Sequence, residues 1–278
     1  MKPGELRYRN ERIAEIQPLS NLEALASGKN LSIIGSGPSI VEMDLNALLN
    51  DVTFILNGAI FIRENHPFVP SVFCVEDERF IWSHFKQIQT LLPIETACVF
   101  TPAVMRAICE ISPKWIANRR LFMFESVKKP YLKTRLTEDD LSQMDWLMMN
   151  DTNKIGFSLN PSHGVFPVGT VAYSAFQIGV SLNPSTIGFA GIDLIVNSER
   201  PRFYETAKRS AWSGLNRSRE NILEGFKIGK KIATQKDIKL ENYSRRSSLN
   251  EKGFTYSGRF ECRQPQKIEG KVHSVAAN

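Results

Sequence analysis

The sequence predicts an α/β protein of Rossmann-like type, a parallel sheet with helices on both faces, carrying a polar lid or insertion. Three observations predict it. Short apolar, β-branched strings recur without the alternation of a half-exposed strand, the pattern of strands covered on both faces. Each string ends in glycine or polar residues, first at Gly35-Ser36-Gly37-Pro38-Ser39. From Ile155 to Ile192 the chain has no Asp, Glu, Lys or Arg. Asn160-Pro161, Pro167, Gln177 and Asn183-Pro184 break that stretch into pieces too short and polar to span a membrane, so it reads as a loop, a helix and a strand at the centre of the fold.

Residues 11–28 are expected to form an amphipathic helix, with Ile13, Ile16, Leu19, Leu22 and Leu25 near helical spacing and Gly28 as its stop. Asn30–Ile34 is a strand that runs into the glycine turn, the usual opening of a nucleotide-binding unit. Val52–Leu56 ends at Asn57-Gly58, Ser71–Val75 at Glu76-Asp77, Ala97–Phe100 at Thr101-Pro102, and Leu121–Phe124 at Glu125-Ser126. Residues 126–154 are more polar and are expected to be an insertion or mobile lid with a short helix near Thr137. Gly169-Thr170 opens a helix through Leu182 whose small residues would let it lie close to the sheet. Thr186–Ala190 is the next central strand, ending at Gly191-Ile192-Asp193. A helix over 214–233 and a strand near 238–240 follow, and the tail after Gly253 has no clear pattern.

The 278 residues are 42% hydrophobic, enough for one large domain with a real core, expected to span 1–278 with its nucleotide-binding part over about 30–245. The 35 basic and 29 acidic residues leave a mild excess of +6, with pairs at Arg119-Arg120, Lys128-Lys129, Lys230-Lys231 and Arg245-Arg246. Such pairs sit on solvated faces or meet an anionic partner, including an acidic membrane surface. Neither a stripe of charge nor a reading helix for DNA is present, so no nucleic acid is expected. The four cysteines lack the spacing of a zinc site, and no metal or cofactor is expected. The charged N-terminal stretch is not a signal peptide, which points to the cytoplasm.

Glycines at a strand-to-helix turn let backbone approach a ligand, and N–H groups at the next helix start hold an anion. The turn is not a dinucleotide GxGxxG, because Ile40 replaces the third glycine, and it lacks a P-loop lysine. A plain tight turn is the competing reading. Gly37→Val is expected on the first reading to abolish nucleotide binding in a chain that still folds. Asn57, Asp77 and Asp193 close three strands and would converge on one crevice, although each also suits a cap or turn. Arg202 suits a phosphate or carboxylate, and the Tyr204 hydroxyl suits charge on a leaving phosphate. His163, beside Gly164, is either a base near neutral pH or a structural imidazole. No HExxH, GxSxG or Cys-His pairing occurs.

Taken together, the Gly-Pro-Ser turn, Asn57 and Gly191-Ile192-Asp193 resemble the CMP-sugar-dependent bacterial sialyltransferases. The segments Asp77-Glu78-Arg79-Phe80, Thr170-Val171-Ala172-Tyr173 and Arg202-Phe203-Tyr204 further resemble the lipopolysaccharide-core proteins associated with adding a third Kdo (3-deoxy-manno-octulosonic acid). The likeness spans about residues 30–245. It implies a sialyltransferase-like glycosyltransferase fold and transfer of a Kdo- or sialic-acid-like sugar from a CMP-sugar donor to a lipopolysaccharide core or related glycan. It also implies work at the inner face of the inner membrane. Gly35, Ser36, Gly37, Pro38, Ser39, Asn57, Thr170, Gly191, Asp193 and Arg202 are the candidate donor contacts, with Tyr204 at the leaving phosphate; the resemblance leaves the base unassigned, and Asp77, then His163, are the candidates among these residues. The sialyltransferases place a histidine after Gly-Ile-Asp, whereas this chain has none between Asp193 and His273, and Ile195 stands in place of a tyrosine. A catalytically silent binder of nucleotide or sugar is the alternative; a Rossmann oxidoreductase is disfavoured by the missing GxGxxG.

Overall fold

Strands without alternation need cover on both sides, and the chain supplies it around a main sheet that has ten strands among the described residues. The structure is a computed structural model that describes residues 4–152, 154–195, 202–205 and 215–261. β1 (Glu5–Tyr8) and β2 (Glu11–Gln17) form an antiparallel hairpin, followed by a 3-10 turn and the short helix α1 (Glu23–Ala26). β3 (Asn30–Ile34), β4 (Val52–Leu56) and β5 (Val72–Val75) come next, and α2 (Glu78–Leu91) leads to β6 (Ala97–Phe100). After α3 (Pro102–Ile111), α4 (Pro113–Ala117) and β7 (Leu121–Met123) come α5 (Glu138–Ser142) and the hairpin of β8 (Leu147–Met149) with β9 (Gly156–Ser158). The chain closes with α6 (Val171–Ser181), β10 (Thr186–Ala190), α7 (Leu215–Gln235), β11 (Lys239–Asn242) and β12 (Thr255–Tyr256).

The order across the sheet is β1-β2-β7-β6-β5-β4-β3-β10-β11-β12, parallel except within the first hairpin. From β3 the chain builds outward through β4, β5, β6 and β7, then returns to place β10 on the other side of β3. That reversal is a topological switch point, and the crevice outside the carboxyl ends of β3 and β10 is where such sheets bind ligands. Successive strand residues enter opposite layers: Ile33, Phe54 and Cys74 face α6 and α7, whereas Ile34, Ile55 and Phe73 join α2 and α3.

The helix expected over 11–28 is instead the strand β2, then the 3-10 turn and the short α1. Pro18 would sit in its interior without an N–H to bond Ala14. Arg9 and Asn10 both adopt positive φ, 48° and 67°, the conformation of a two-residue type I′ hairpin turn. Leu19 and Leu22 are still buried, and Gly28 with φ of 68° does end α1.

The uncharged stretch is the centre, as expected. Every residue of α6 from Ala172 to Val180 is buried, a helix enclosed all round. Its Gln177 is wholly satisfied: Oε1 accepts from Ser158 and Phe166 N–H, and Nε2 donates to the Phe166 and Tyr173 carbonyls. Close approach occurs between helices rather than between helix and sheet. A Cβ on Gly179 would make ordinary contacts, 3.5 Å from Ile187, whereas one on Gly229 of α7 would lie 2.3 Å from the Phe176 ring.

Segment 126–154, expected as a lid, packs Leu141 and Leu147 into the α6 layer. Its helix starts as expected at Thr137, which forms a capping box with Asp140. Several of the paired cations have partners within the protein: Arg119 covers Trp115 at 4.2 Å, Arg246 meets Glu42 at 2.6 Å, and Arg245 pairs with Glu261. Among the described residues no helix is long and apolar enough to cross a membrane.

Candidate active site

A cleft of about 680 Å³ opens at the switch point, walled by the carboxyl ends of β3, β4, β5 and β10 and by the first turns of α6 and α7. It gathers Gly35, Ser36, Gly37, Pro38, Asn57, Asp77, Thr170, Gly191, Asp193 and Arg202 from the expected set. Ser39, Tyr204 and His163 do not line it, and none of the described residues of 126–154 does.

The floor is a seam between two loops. Gly35 and Gly37 donate their N–H groups to the Ala190 and Gly191 carbonyls, both at 2.8 Å. A Cβ on Gly35 would lie 2.6 Å from the Gly191 carbonyl oxygen, and one on Gly37 would lie 2.6 Å from Asp193 Oδ2. Buried Asp193 accepts from Ser39 N–H at 2.9 Å and from Ser39 Oγ at 2.5 Å. The two glycines are therefore required by loop-to-loop packing, and the Ser39–Asp193 pair is a latch whose polar atoms serve the fold. The turn is followed by a 3-10 helix over Pro38–Glu42, so the expected α-helical anion site is absent there. From beneath, Ser247 and Ser248 hydroxyls donate to the Ile192 and Leu194 carbonyls at 2.6 and 3.0 Å. Nothing in the local sequence pattern marked those two serines.

Above this floor three groups belong to residues that line the cleft. Asn57 sits with φ of 43°, and its Oδ1 is buried without a hydrogen-bond partner among the described residues. Thr170 caps α6, accepting from Ala172 N–H at 3.3 Å, and the first turn of this 11-residue helix lines the cleft. The positive end of a helix dipole and its unbonded N–H groups favour an anion. Arg202 lies in the same wall and pairs with Glu205 at 2.5 Å, while Phe203 N–H bonds the Ser36 carbonyl.

Asp77 lines the cleft but its carboxylate is engaged as the N-cap of α2. It accepts from Arg79 N–H at 2.9 Å and meets the Arg79 guanidinium at 2.5 Å. Burial pushes this carboxyl up, but the Arg79 side chain, backbone N–H and charge outweigh it and leave it below its usual range. Such a group has little appetite for a proton at neutral pH. The capping alternative is the one the geometry supports, and Asp77→Ala is expected to lower stability by about 1 kcal/mol through the lost cap. A urea titration giving the wild-type midpoint would speak against it.

Two further expectations change. His163 is exposed, in a short 3-10 turn, with its ring edge-on to Trp146 at 5.3 Å. Tyr204 packs among Phe61, His84 and Phe203, and its ring covers Gly58, where a Cβ would lie 2.1 Å away. Burial pushes its hydroxyl pKa up to about 12. Its role in this structure is packing beneath Asn57-Gly58 and the Arg202 segment.

The residue missed from sequence is Glu76. It lines the cleft, and Ser174 Oγ of α6 donates to its Oε2 at 2.9 Å. The signal existed: along a strand alternate residues share a face, so Glu76 shares the α6 side with Cys74. Among the described residues no three His, Cys, Asp or Glu side chains cluster to hold a metal.

A mostly parallel sheet with its cleft at the switch point, a glycine turn on one lip and a Gly-Ile-Asp strand end on the other, is the fold of the sialyltransferase-like glycosyltransferases. Cst-I, a monofunctional alpha-2,3-sialyltransferase from Campylobacter jejuni, matches with a TM-score of 0.50 at 13% identity, covering 90% of this chain and 89% of its own. MAf glycosyltransferase from Magnetospirillum magneticum AMB-1 matches with a TM-score of 0.51 at 11% identity, covering 86% of this chain and 35% of that larger protein. The sialyltransferase CstII from Campylobacter jejuni matches at 0.43 and 15% identity, covering 85% of this chain and 89% of its own. At these identities the likeness to Cst-I and to MAf glycosyltransferase is one of fold. The chain belongs to the 3-deoxy-D-manno-octulosonic acid transferase WaaZ family, whose model matches residues 15–256. No curated protein matches it in sequence.

Proposed function

We propose that the protein transfers a Kdo- or sialic-acid-like sugar from a CMP-activated donor to a lipopolysaccharide core or related glycan, with the donor held in the switch-point cleft. One observation carries the reading: a chain of a Kdo transferase family brings an unpartnered Asn57 Oδ1, the open first turn of α6 and Arg202 into one cleft. The helix turn and Arg202 suit a single phosphate, and Asn57 suits an amino or hydroxyl donor on the nucleotide or sugar. Loss of CMP from the anomeric carbon passes through an oxocarbenium-like state, so preorganised positive charge at the departing phosphate lowers the barrier. The leaving group carries one phosphate, which needs less charge neutralisation than a diphosphate.

Calorimetry with CMP, UDP, GDP and NAD tests the donor class, with CMP expected to bind most tightly. In Asn57→Ala the CMP affinity is expected to fall by about 5- to 150-fold, the equivalent of one lost polar contact worth about 1–3 kcal/mol. Preference for NAD or UDP, or wild-type CMP affinity in that variant, would overturn the assignment.

A further inference from the structure

We propose that Glu76 is the base that takes the acceptor's proton during transfer, held in position by Ser174; this rests on the reading of the cleft given above. Glu76 stands at the end of β5, in the cleft wall, fixed at both ends. Its backbone carbonyl accepts from Thr101 Oγ1 at 2.9 Å, and its Oε2 accepts from Ser174 Oγ at 2.9 Å. Among the described residues Oε1 has no hydrogen-bond partner, so it is available to a ligand.

The other carboxylates in the cleft are engaged. Asp77 is held by Arg79, Glu78 by Arg106 at 2.5 Å, and Asp193 by Ser39. Glu76 is held by one neutral hydroxyl on one oxygen, which orients the carboxylate and, among the described residues, leaves its second oxygen without a partner. Burial raises its pKa above the ordinary range, the Ser174 hydroxyl pulls it partly back, and the charge of Asp77 pushes it up again. The groups that share its surroundings are Asp77, Glu78 and Arg79 at the start of α2, Asp193 and Arg202 in the cleft, and Cys74 on its own strand. Arg106 reaches Glu78 from α3, while Thr101 after β6 and Asn57 after β4 are neutral. No residue of α6 is charged, and the Tyr173 hydroxyl of that helix is committed to the Gly156 carbonyl at 2.7 Å.

In the step itself the acceptor hydroxyl oxygen bonds to the donor's anomeric carbon. The bond from that carbon to the phosphate oxygen breaks, and its electron pair leaves with CMP. The hydroxyl proton passes to Glu76 Oε1 and is lost to water before the next turnover. A base with a raised pKa is better matched to this task at neutral pH than the suppressed Asp77.

Glu76→Gln keeps the side chain's shape and an acceptor for Ser174. Its kcat with CMP-Kdo or CMP-sialate is expected to fall by roughly 10²- to 10⁴-fold, with CMP affinity close to wild type. The acid limb of the wild-type kcat/KM profile is expected to vanish in Glu76→Gln. In Ser174→Ala it moves to higher pH, because a hydrogen bond to the ionised form is gone. Thermal stability gives a readout that needs no substrate. A carboxyl with a raised folded-state pKa weakens the fold progressively as pH climbs from its unfolded towards its folded pKa. Glu76→Gln is therefore expected to melt higher than wild type at neutral and alkaline pH, and to lose that advantage in acid. An active wild type whose Glu76→Gln variant keeps its turnover and acid limb overturns the base while leaving the proposed function standing. A melting temperature lowered equally at every pH overturns it in favour of a structural role. A wild type that transfers from neither donor overturns the function and the base together.

Discussion

Gly37→Val is expected to be strongly destabilised rather than folded and unable to bind nucleotide. The added Cβ would lie 2.6 Å from Asp193 Oδ2 and 2.7 Å from the Gly191 carbonyl oxygen, and neither can withdraw cheaply. Gly191 has φ of 63° and faces the Gly35 carbonyl, while Asp193 is tied to Ser39 by two hydrogen bonds. Parting the loops also breaks the Gly37 bond to Gly191. A loss of about 4 kcal/mol or more is in keeping with overpacking plus broken buried hydrogen bonds. For a chain of this size it lowers Tm by roughly 8–16 °C. A variant that melts with the wild type and fails only to bind CMP would restore the turn as a direct ligand contact.

The second large effect is expected at Asp193. Removing its carboxylate in Asp193→Ala strands the Ser39 N–H and hydroxyl in a buried site, at about 1–3 kcal/mol for each unmet group. The expected total of about 3–5 kcal/mol would appear as a Tm lowered by roughly 6–20 °C. Asp193→Asn keeps an acceptor oxygen and is expected to fall between the two. Because the latch holds the floor of the cleft, CMP affinity should decline along with stability across the series. Wild-type melting combined with lost affinity would make Asp193 a ligand contact instead of a latch.

The centre of the fold was legible because its physics is local. β3, β4 and β10 have the bounds read from the sequence, since a strand buried on both faces is an unbroken apolar string closed by a turn. The first hairpin was not legible: Arg9-Asn10 is a weaker turn signal than Asn-Gly, and half-buried Ile13 and Ile16 mimic helical spacing. Three-dimensional facts decided the site. Gly35 and Gly37 satisfy the sequence criteria for ligand approach and for loop packing equally, and only the position of Gly191 separates the two. Between adjacent Glu76 and Asp77, strand parity turns one towards α6 while the helix start claims the other. Isolated His163 carried no spacing information, and its place beside Trp146 depends on the β8–β9 hairpin that folds the intervening chain back on itself.

The most direct test of the account is a transfer assay with purified protein, CMP-Kdo and a lipopolysaccharide core acceptor, followed by mass spectrometry of the acceptor and quantitation of released CMP. The expected result is an acceptor heavier by one Kdo residue and CMP released in equal amount, both strongly reduced in Glu76→Gln. Unmodified acceptor and intact donor with the wild-type protein, across CMP-Kdo and CMP-sialate alike, would contradict it.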